Sequence, residues 1–144
     1  MVKGSCLCGN IEFSCDFGQS PIKIYQCHCT LCKKQSGSSS NSATIIPAHQ
    51  FNWISSEGIK VWKKSSGFNA HFCENCGCGV PNRFADKYYW VPIGLLDLAS
   101  HSENEVKLVA HLCLSTKSSW HELNEDAEKF EKLPELQQLL ALLN

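Results

Sequence analysis

Apolar and polar residues alternate in short runs along most of this chain, which is the period of half-buried β-strands. Glycine and serine separate the runs, as expected for tight turns. The alternation predicts eight strands, at residues 11–15, 22–25, 40–46, 51–54, 59–62, 70–72, 89–92 and 106–114. The pattern therefore predicts a mainly β domain.

Helical spacing is found in two places. A short helix is predicted over residues 30–35 and ended by Gly37, because glycine accepts the left-handed backbone that closes many helices. A second helix is predicted after Pro134. Its apolar positions recur at helical spacing and are Leu136, Leu139, Leu140 and Leu143. We expect this leucine stripe to pack on the core of its own domain, and homo-oligomerisation through it is left open.

Length and charge limit the class of protein. The chain has 144 residues, and we predict a single domain over residues 1–144. Thirteen basic residues oppose fourteen acidic ones, so a nucleic-acid partner is not expected. The N-terminus has no apolar signal region and no stretch has the length of a membrane span, which predicts a cytoplasmic protein with no membrane partner.

The unusual feature of the composition is ten cysteines. In a reducing compartment, clustered thiols are more often metal ligands or catalytic groups than disulfides. Seven of the ten fall into three tight clusters, and this favours zinc as the bound cofactor.

Two of these clusters complement each other. Cys6 and Cys8 form a C-x-C pair, and Cys73 and Cys76 form a C-x-x-C pair followed by Gly77. Together they supply the four thiolates of a closed, structural zinc site. Such a site would pin the N-terminal strand to the middle of a small sheet. The alternative, reduced core cysteines, is disfavoured by the clustering.

The third cluster, Cys27, Cys29 and Cys32, has the spacing C-x-C-x-x-C, which can place three thiolates on one face of a turn. Catalytic zinc sites keep three protein ligands and one exchangeable position, so we expect this second site to be open. His28 is expected to pack or to hydrogen-bond rather than to bind the metal.

An open tris-thiolate zinc is expected to prefer a soft ligand, because three anionic sulfurs weaken its power to acidify water. An incoming thiol would lose its proton and could add to an electrophilic carbon such as an aldehyde, or leave from the adduct in reverse. The predicted reaction class is thiol addition and elimination.

Taken in order, the cysteine motifs resemble the glutathione-dependent formaldehyde-activating enzyme family, the CENP-V/GFA domain. The similarity lies in G-S-C-L-C-G, C-H-C-T-L-C-K-K-Q-S-G and F-C-E-N-C-G, then G-L-L-D-L at residues 94–98, His111 and Trp120, and it spans almost the whole chain. The resemblance implies a zinc-stapled Mss4-like fold, a mainly β sandwich or tent with a few short helices.

The resemblance also implies two zinc ions and a carbon–sulfur lyase activity. By match of motif, the structural zinc would be held by Cys6, Cys8, Cys73 and Cys76, and the catalytic zinc by Cys27, Cys29 and Cys32. The implied reaction condenses glutathione with formaldehyde to S-hydroxymethylglutathione. The small-molecule partner would be glutathione, a related thiol or an aldehyde adduct.

Three positions depart from the family pattern. Many relatives carry arginine directly after the third cysteine of the open site and two residues before Phe72, where this chain has Lys33 and Ala70. Losing a forked guanidinium weakens the case for binding the carboxylates of glutathione in the family manner. Cys78 stands where relatives commonly have a small hydroxyl residue, and a neutral substitution is favoured over a ligating or resolving thiol.

Two other functions stay open. A non-catalytic zinc-stapled protein-interaction module would bind its partner through the C-terminal leucines. A methionine sulfoxide reductase on the related fold would need an exposed reactive cysteine, and Cys113 is the candidate. However, Cys15 and Cys113 are both expected to be small buried residues of apolar strands. Trp120 is expected in the core or in the wall of the substrate cleft, and His121 is assigned no partner.

Overall fold

The computed structural model describes residues 1–19, 21–99 and 105–144. Its strands are β1 (Val2–Ser5), β2 (Glu12–Cys15), β3 (Ile22–Cys27), β4 (Asn41–Pro47), β5 (Phe51–Ser55), β6 (Ile59–Lys63), β7 (Asn69–Cys73), β8 (Asn82–Phe84), β9 (Tyr88–Pro92), β10 (Val106–Leu112) and β11 (Glu128–Lys129). Its α-helices are α1 (Thr30–Ser36) and α2 (Leu136–Leu143). The fold is mainly β, as predicted.

The chain divides into two compact units that alternate along the sequence. The first unit comprises Met1–Ser20 and Ile45–Asn104, and the second comprises Pro21–Thr44 and Glu105–Asn144. The single domain expected over residues 1–144 stays a prediction. No helix among the described residues is long and apolar enough to cross a membrane.

The first unit contains a three-stranded antiparallel sheet in the order β1-β2-β5 and the antiparallel hairpins β6-β7 and β8-β9. Aromatic rings build its core, because Phe51 stacks on Phe13 at 5.4 Å and on Tyr89 at 3.9 Å between ring centroids. Gly4 allows this packing, since a Cβ there would lie 2.4 Å from the Phe13 ring.

In the second unit the strand order is β11-β10-β3-β4. β10 is parallel to both β3 and β11, whereas β3 and β4 are antiparallel. The parallel register places Leu112 opposite Cys27 and His111 opposite Gln26, with a bulge between Leu108 and Ala110. This pairing brings the end of β10 to the cysteine motif that follows β3.

All eight predicted strands are present, each with bounds within two residues of the prediction. The three strands that the pattern missed are β1, β8 and β11. β8 and β11 have two or three residues with little burial, so they carry no apolar alternation.

Both predicted helices are confirmed. α1 ends at Ser36, and Gly37 takes the left-handed conformation with φ 65° while its N–H donates to the carbonyl of Lys33. α2 packs against β3 and β10. Leu139 and Leu140 are each 5% exposed, whereas Leu136 and Leu143 are half-buried, so the centre of the leucine stripe is buried within its own unit as expected.

Replacing Leu140 with alanine should lower the free energy of unfolding by about 2–5 kcal/mol, because a buried side chain is lost and a cavity remains. Leu133→Ala is the matched control. Leu133 is 70% exposed, so its replacement should change the free energy by no more than about 0.5 kcal/mol. Urea unfolding followed by tryptophan fluorescence measures both, and equal effects would contradict the docking of α2.

Candidate metal centres

A four-thiol cluster, formed by Cys6, Cys8, Cys73 and Cys76, lies in the first unit. Its Sγ atoms all lie within 4.8 Å of one another. The Sγ of Cys8 is 3.6 Å from that of Cys6 and 3.8 Å from that of Cys73. These distances far exceed the roughly 2.05 Å of a disulfide bond, and all four cysteines are free thiols.

Two tight turns present these sulfurs. The N–H of Gly9 donates to the carbonyl of Cys6 at 3.2 Å, and the N–H of Gly77 donates to that of Cys73 at 2.8 Å. Gly9 has φ 81° and Gly77 has φ 73°, which glycine adopts without strain. Each chain segment can therefore fold back so that its pair of sulfurs faces the other pair.

The four-thiol cluster connects two sheets. Cys6 follows β1, Cys73 is the last residue of β7, and both are buried with Ile11 and Val80. The expectation that this site pins the N-terminal strand to the middle of one sheet is wrong. β1 begins a three-stranded sheet, whereas β7 belongs to a separate hairpin.

The donor set fits a tetrahedral cation. Sulfurs about 2.3 Å from a tetrahedral zinc ion are about 3.8 Å from one another. The separations of the Cys8 sulfur from those of Cys6 and Cys73 are close to that value. Four soft thiol donors at this spacing are positioned to bind a metal ion such as zinc.

A three-thiol cluster, formed by Cys27, Cys29 and Cys32, lies where β3 ends and α1 begins. Its Sγ atoms also lie within 4.8 Å of one another. Cys29 is the N-cap of α1, and its Sγ accepts a hydrogen bond of 3.2 Å from the backbone N–H of Cys32. Cys27 is buried, whereas Cys29 and Cys32 are half-buried. The latter two sulfurs are therefore partly accessible to a small molecule.

The electrostatics of the three-thiol cluster favour protons or a cation over bare thiolates. The pKa of Cys27 is raised by its hydrogen bond with Cys32, by burial and by repulsion from the charge of Cys32. Burial also raises the pKa of Cys29. A divalent cation would reverse this preference, because it stabilises each thiolate.

His28, between two of these cysteines, is hydrogen-bonded to a second buried histidine. His28 and His111 are both 0% exposed, and Nε2 of His28 lies 2.9 Å from Nδ1 of His111. The N–H of Asn124 donates to Nε2 of His111 at 3.0 Å, so the proton of His111 is on Nδ1 and is donated to His28. His28 then carries its own proton on Nδ1, which has no hydrogen-bond partner among the described residues.

His121 completes a histidine network with His28 and His111. Its Nδ1 lies 2.6 Å from the hydroxyl of Ser39, and its Nε2 lies 3.0 Å from Oε1 of Gln26. An amide oxygen only accepts, so Nε2 carries the proton and Nδ1 accepts from the hydroxyl of Ser39.

Ring nitrogens of the histidine network lie within 4.8 Å of one another, as a metal site requires. However, the hydrogen bonds occupy every ring nitrogen except Nδ1 of His28. The rings of His28 and His121 meet edge to face at 90°, so their lone pairs do not converge. This geometry is that of a hydrogen-bonded scaffold behind the three-thiol cluster.

The network agrees with the sequence interpretation of His28, which expected packing or hydrogen bonding. The involvement of His121 was missed. Its partners lie 82 and 95 residues away along the chain, a separation at which residue spacing carries no signal.

The remaining cysteines differ from one another. Cys15 is 0% exposed, as expected of a small core residue. The expectation that Cys113 is buried in a strand is wrong. The strand β10 ends at Leu112, and Cys113 is half-buried with φ 60°. Cys78 packs beside the four-thiol cluster but is not one of its converging sulfurs.

The other resemblance-derived positions are Trp120, Lys33 and Ala70. Trp120 is 73% exposed, so it is not a core residue. The ammonium of Lys33 donates to the carbonyl of Thr116 at 2.7 Å. Ala70 lies in β7, in the first unit.

After removal of metal with a chelator under reducing conditions, iodoacetamide should modify Cys8 first at pH 7. Cys8 is exposed, and hydrogen bonds from the Asn75 side chain and the Asn10 backbone lower its pKa to about 6. Cys15 is the internal control, since burial raises its pKa to about 12. Peptide mass mapping over time measures the two rates, and equal rates would contradict the prediction.

Replacing His111 with phenylalanine should lower the free energy of unfolding by about 1–3 kcal/mol, because Nε2 of His28 loses its donor in a buried site. His49 is exposed, so His49→Phe is the control and should stay within about 0.5 kcal/mol. Urea unfolding of the metal-loaded proteins measures the difference. No loss of stability in the His111 variant would contradict the hydrogen-bond assignment.

Comparisons with known proteins bear on the fold and the family. A structural-genomics crystal structure of a Rhodobacter sphaeroides protein aligns with a TM-score of 0.54 at 17% identity, covering 73% of this chain and 99% of that chain. At this identity the likeness concerns the fold, and the mainly β architecture is consistent with the predicted Mss4-like fold. No curated protein gives a significant sequence match.

The family assignment comes from a sequence profile. Residues 1–115 match the profile described as glutathione-dependent formaldehyde-activating enzyme. That range contains both thiol clusters, which the structure positions for metal binding. The chain belongs to the glutathione-dependent formaldehyde-activating enzyme family.

Proposed function

We propose that this protein is a zinc-dependent carbon–sulfur lyase or synthase acting on the adduct of glutathione, or a related thiol, with an aldehyde such as formaldehyde. Membership of a family described by that substrate pair supports the proposal. The observation that carries it is the three-thiol cluster, whose sulfurs converge within 4.8 Å while two of its cysteines are half-buried.

The two clusters have different parts in this proposal. The four-thiol cluster has a full tetrahedral set of sulfurs, so its metal would be structural. The three-thiol cluster supplies Cys27, Cys29 and Cys32 and leaves one position for an incoming sulfur. Zinc would thus stabilise the first unit and take part in the reaction in the second unit.

Zinc at the three-thiol cluster would lower the pKa of an incoming thiol and hold its sulfur as a nucleophile. In synthesis, the sulfur of the thiol would form a bond to the carbonyl carbon of the aldehyde. The carbonyl π electrons move to oxygen, which receives the proton that the thiol released. In the lyase direction the same carbon–sulfur bond breaks, and neither direction requires an oxidant or a reductant.

The chain's own residues hold this geometry in place. The hydrogen bond from Cys32 N–H to Cys29 Sγ fixes the turn. The backbone N–H of His28 donates to the carbonyl of Leu112 at 2.9 Å, and its carbonyl accepts from the hydroxyl of Thr116 at 2.9 Å. The chain between Cys27 and Cys29 is therefore anchored through both the N–H and the carbonyl of His28. This limits the movement of the sulfurs.

We propose that the rest of the thiol substrate is recognised less specifically than it would be by an arginine guanidinium. Lys33 follows the last cysteine of the cluster, and its ammonium donates to the carbonyl of Thr116. Lysine interacts with a carboxylate as a point charge, whereas the planar guanidinium of arginine can donate two hydrogen bonds to it. Small thiols other than glutathione are therefore included in the proposed substrate class.

The alternative functions have less support. An interaction module would use the C-terminal leucines, but Leu139 and Leu140 are buried in their own unit. A methionine sulfoxide reductase would need a reactive thiol at Cys113. Burial, followed by the charge of Cys27, raises the pKa of Cys113 to about 11, which disfavours the thiolate.

Cys27→Ser tests the proposed function. Native mass spectrometry should show two zinc ions in the unmodified protein and one in the variant. The rate of exchange between glutathione and formaldehyde above the spontaneous rate, followed by NMR, should fall by at least about tenfold, because even outer-shell changes around a metal commonly cost that much.

Cys78→Ser is the matched control, since Cys78 is half-buried but is not one of the converging sulfurs. It should keep both zinc ions and the full exchange rate. A Cys27→Ser protein that lost one zinc but kept its exchange rate would show that the three-thiol cluster is not the site of the reaction.

A further inference from the structure

Cys113 lies beside the three-thiol cluster although it is far from the cysteine motif in sequence. Parallel pairing of β10 with β3 places Leu112 opposite Cys27. Cys113 is the next residue along the chain, and burial, followed by the neighbouring Cys27 thiol, raises its pKa. A fourth sulfur thus stands next to a group of three.

The backbone fixes Cys113 at this position. The N–H of His28 donates to the carbonyl of Leu112 at 2.9 Å. The hydroxyl of Thr116 lies 2.9 Å from the carbonyl of His28 and 3.2 Å from that of Cys113. The first bond ties Leu112 to His28, the residue between the cysteines, and the single Thr116 hydroxyl proton is shared between the carbonyls of His28 and Cys113. The backbone of Cys113 is therefore held next to the cysteine motif by the fold.

We propose that Cys113 is a displaceable fourth ligand of the metal held by Cys27, Cys29 and Cys32. This inference rests on the proposed function, because it requires a metal at the three-thiol cluster. Without substrate, the Cys113 sulfur completes a tetrahedral set of four thiolates and gives up its proton. An incoming small thiol takes its place and transfers its proton to Cys113, so the number of bound thiolates and the total charge stay constant.

Two observations explain why Cys113 would be the ligand that leaves. The sulfurs that converge within 4.8 Å are those of the motif cysteines, and Cys113 is outside this group. Cys113 is also half-buried, with φ 60°, a conformation that is uncommon for residues with a Cβ. Its sulfur is thus the one of the four that stands outside the converging set. The closed state, in which Cys113 is bound to the metal, would hold the metal when thiol is scarce. It would also lower the apparent affinity for thiol.

Cys113→Gly is the variant of choice, because glycine adopts this left-handed backbone without strain while the thiol is removed. Full-length protein is loaded with cobalt(II) in place of zinc, so that thiolate-to-cobalt absorption reports the number of bound sulfurs. Glutathione is then titrated in, and a competing chelator measures the metal affinity of each site. Cys78→Ser, which removes a half-buried thiol beside the other cluster, is the control.

In the unmodified protein, glutathione should leave the absorption unchanged, because one thiolate replaces another. Cys113→Gly should start with weaker absorption that glutathione restores. Its metal affinity at the three-thiol cluster should fall by about 10–100-fold. Its apparent affinity for glutathione should rise by at least about tenfold if nine-tenths of the resting protein is closed. Cys78→Ser should match the unmodified protein.

Two results would overturn the inference while leaving the proposed function in place. One is a Cys113→Gly protein that binds both cobalt ions and glutathione as the unmodified protein does. The other is a joint loss of metal and glutathione affinity, which a merely structural role would produce. A single cobalt ion per unmodified chain that survives Cys27→Ser would instead overturn both the inference and the proposed function.

Discussion

The parallel pairing of β3 with β10 is the constraint on which the second unit depends. It aligns Leu112 with Cys27, and the backbone bond from His28 to Leu112 continues the alignment one residue beyond the strand. The thiol motif, the buried histidines and Cys113 all take their positions from this register. Because side chains alternate between the two faces of a strand, a slip of one residue would move each of them to the opposite face.

Within each unit, the negative charge of clustered thiolates has to be balanced. Thiolates packed at these distances repel one another, and the raised pKa of Cys27 reflects its hydrogen bond with Cys32, its burial and that repulsion. The nearby histidines do not supply a compensating charge. Burial, followed by the neighbouring His121 and His111, lowers the pKa of His28 to about 4, so it is neutral near pH 7. A bound cation would stabilise three thiolates there.

The number of sulfurs distinguishes the two clusters in chemical terms. Four converging thiols lie between the ends of β1 and β7 and are positioned to bind a metal, which in the proposed function would be structural. Three converging thiols would leave one position on a tetrahedral metal for another sulfur. In the proposed function, that sulfur is the substrate thiol. As proposed, Cys113 would occupy that position until the substrate arrives and would thereby control access to the metal.

The sequence by itself determined what depends on neighbouring residues, because alternation, capping and ligand spacing act within a few residues. These features are eight strands, the Gly37 end of α1, the leucine face of α2 and the three cysteine motifs. Tertiary structure alone decided the short strands, the histidine network and the place of Cys113. His28 and His111 are 83 residues apart, and the pairing that joins them is a parallel register between distant strands. Local composition does not encode such a register, since it is selected by the packing of the whole unit.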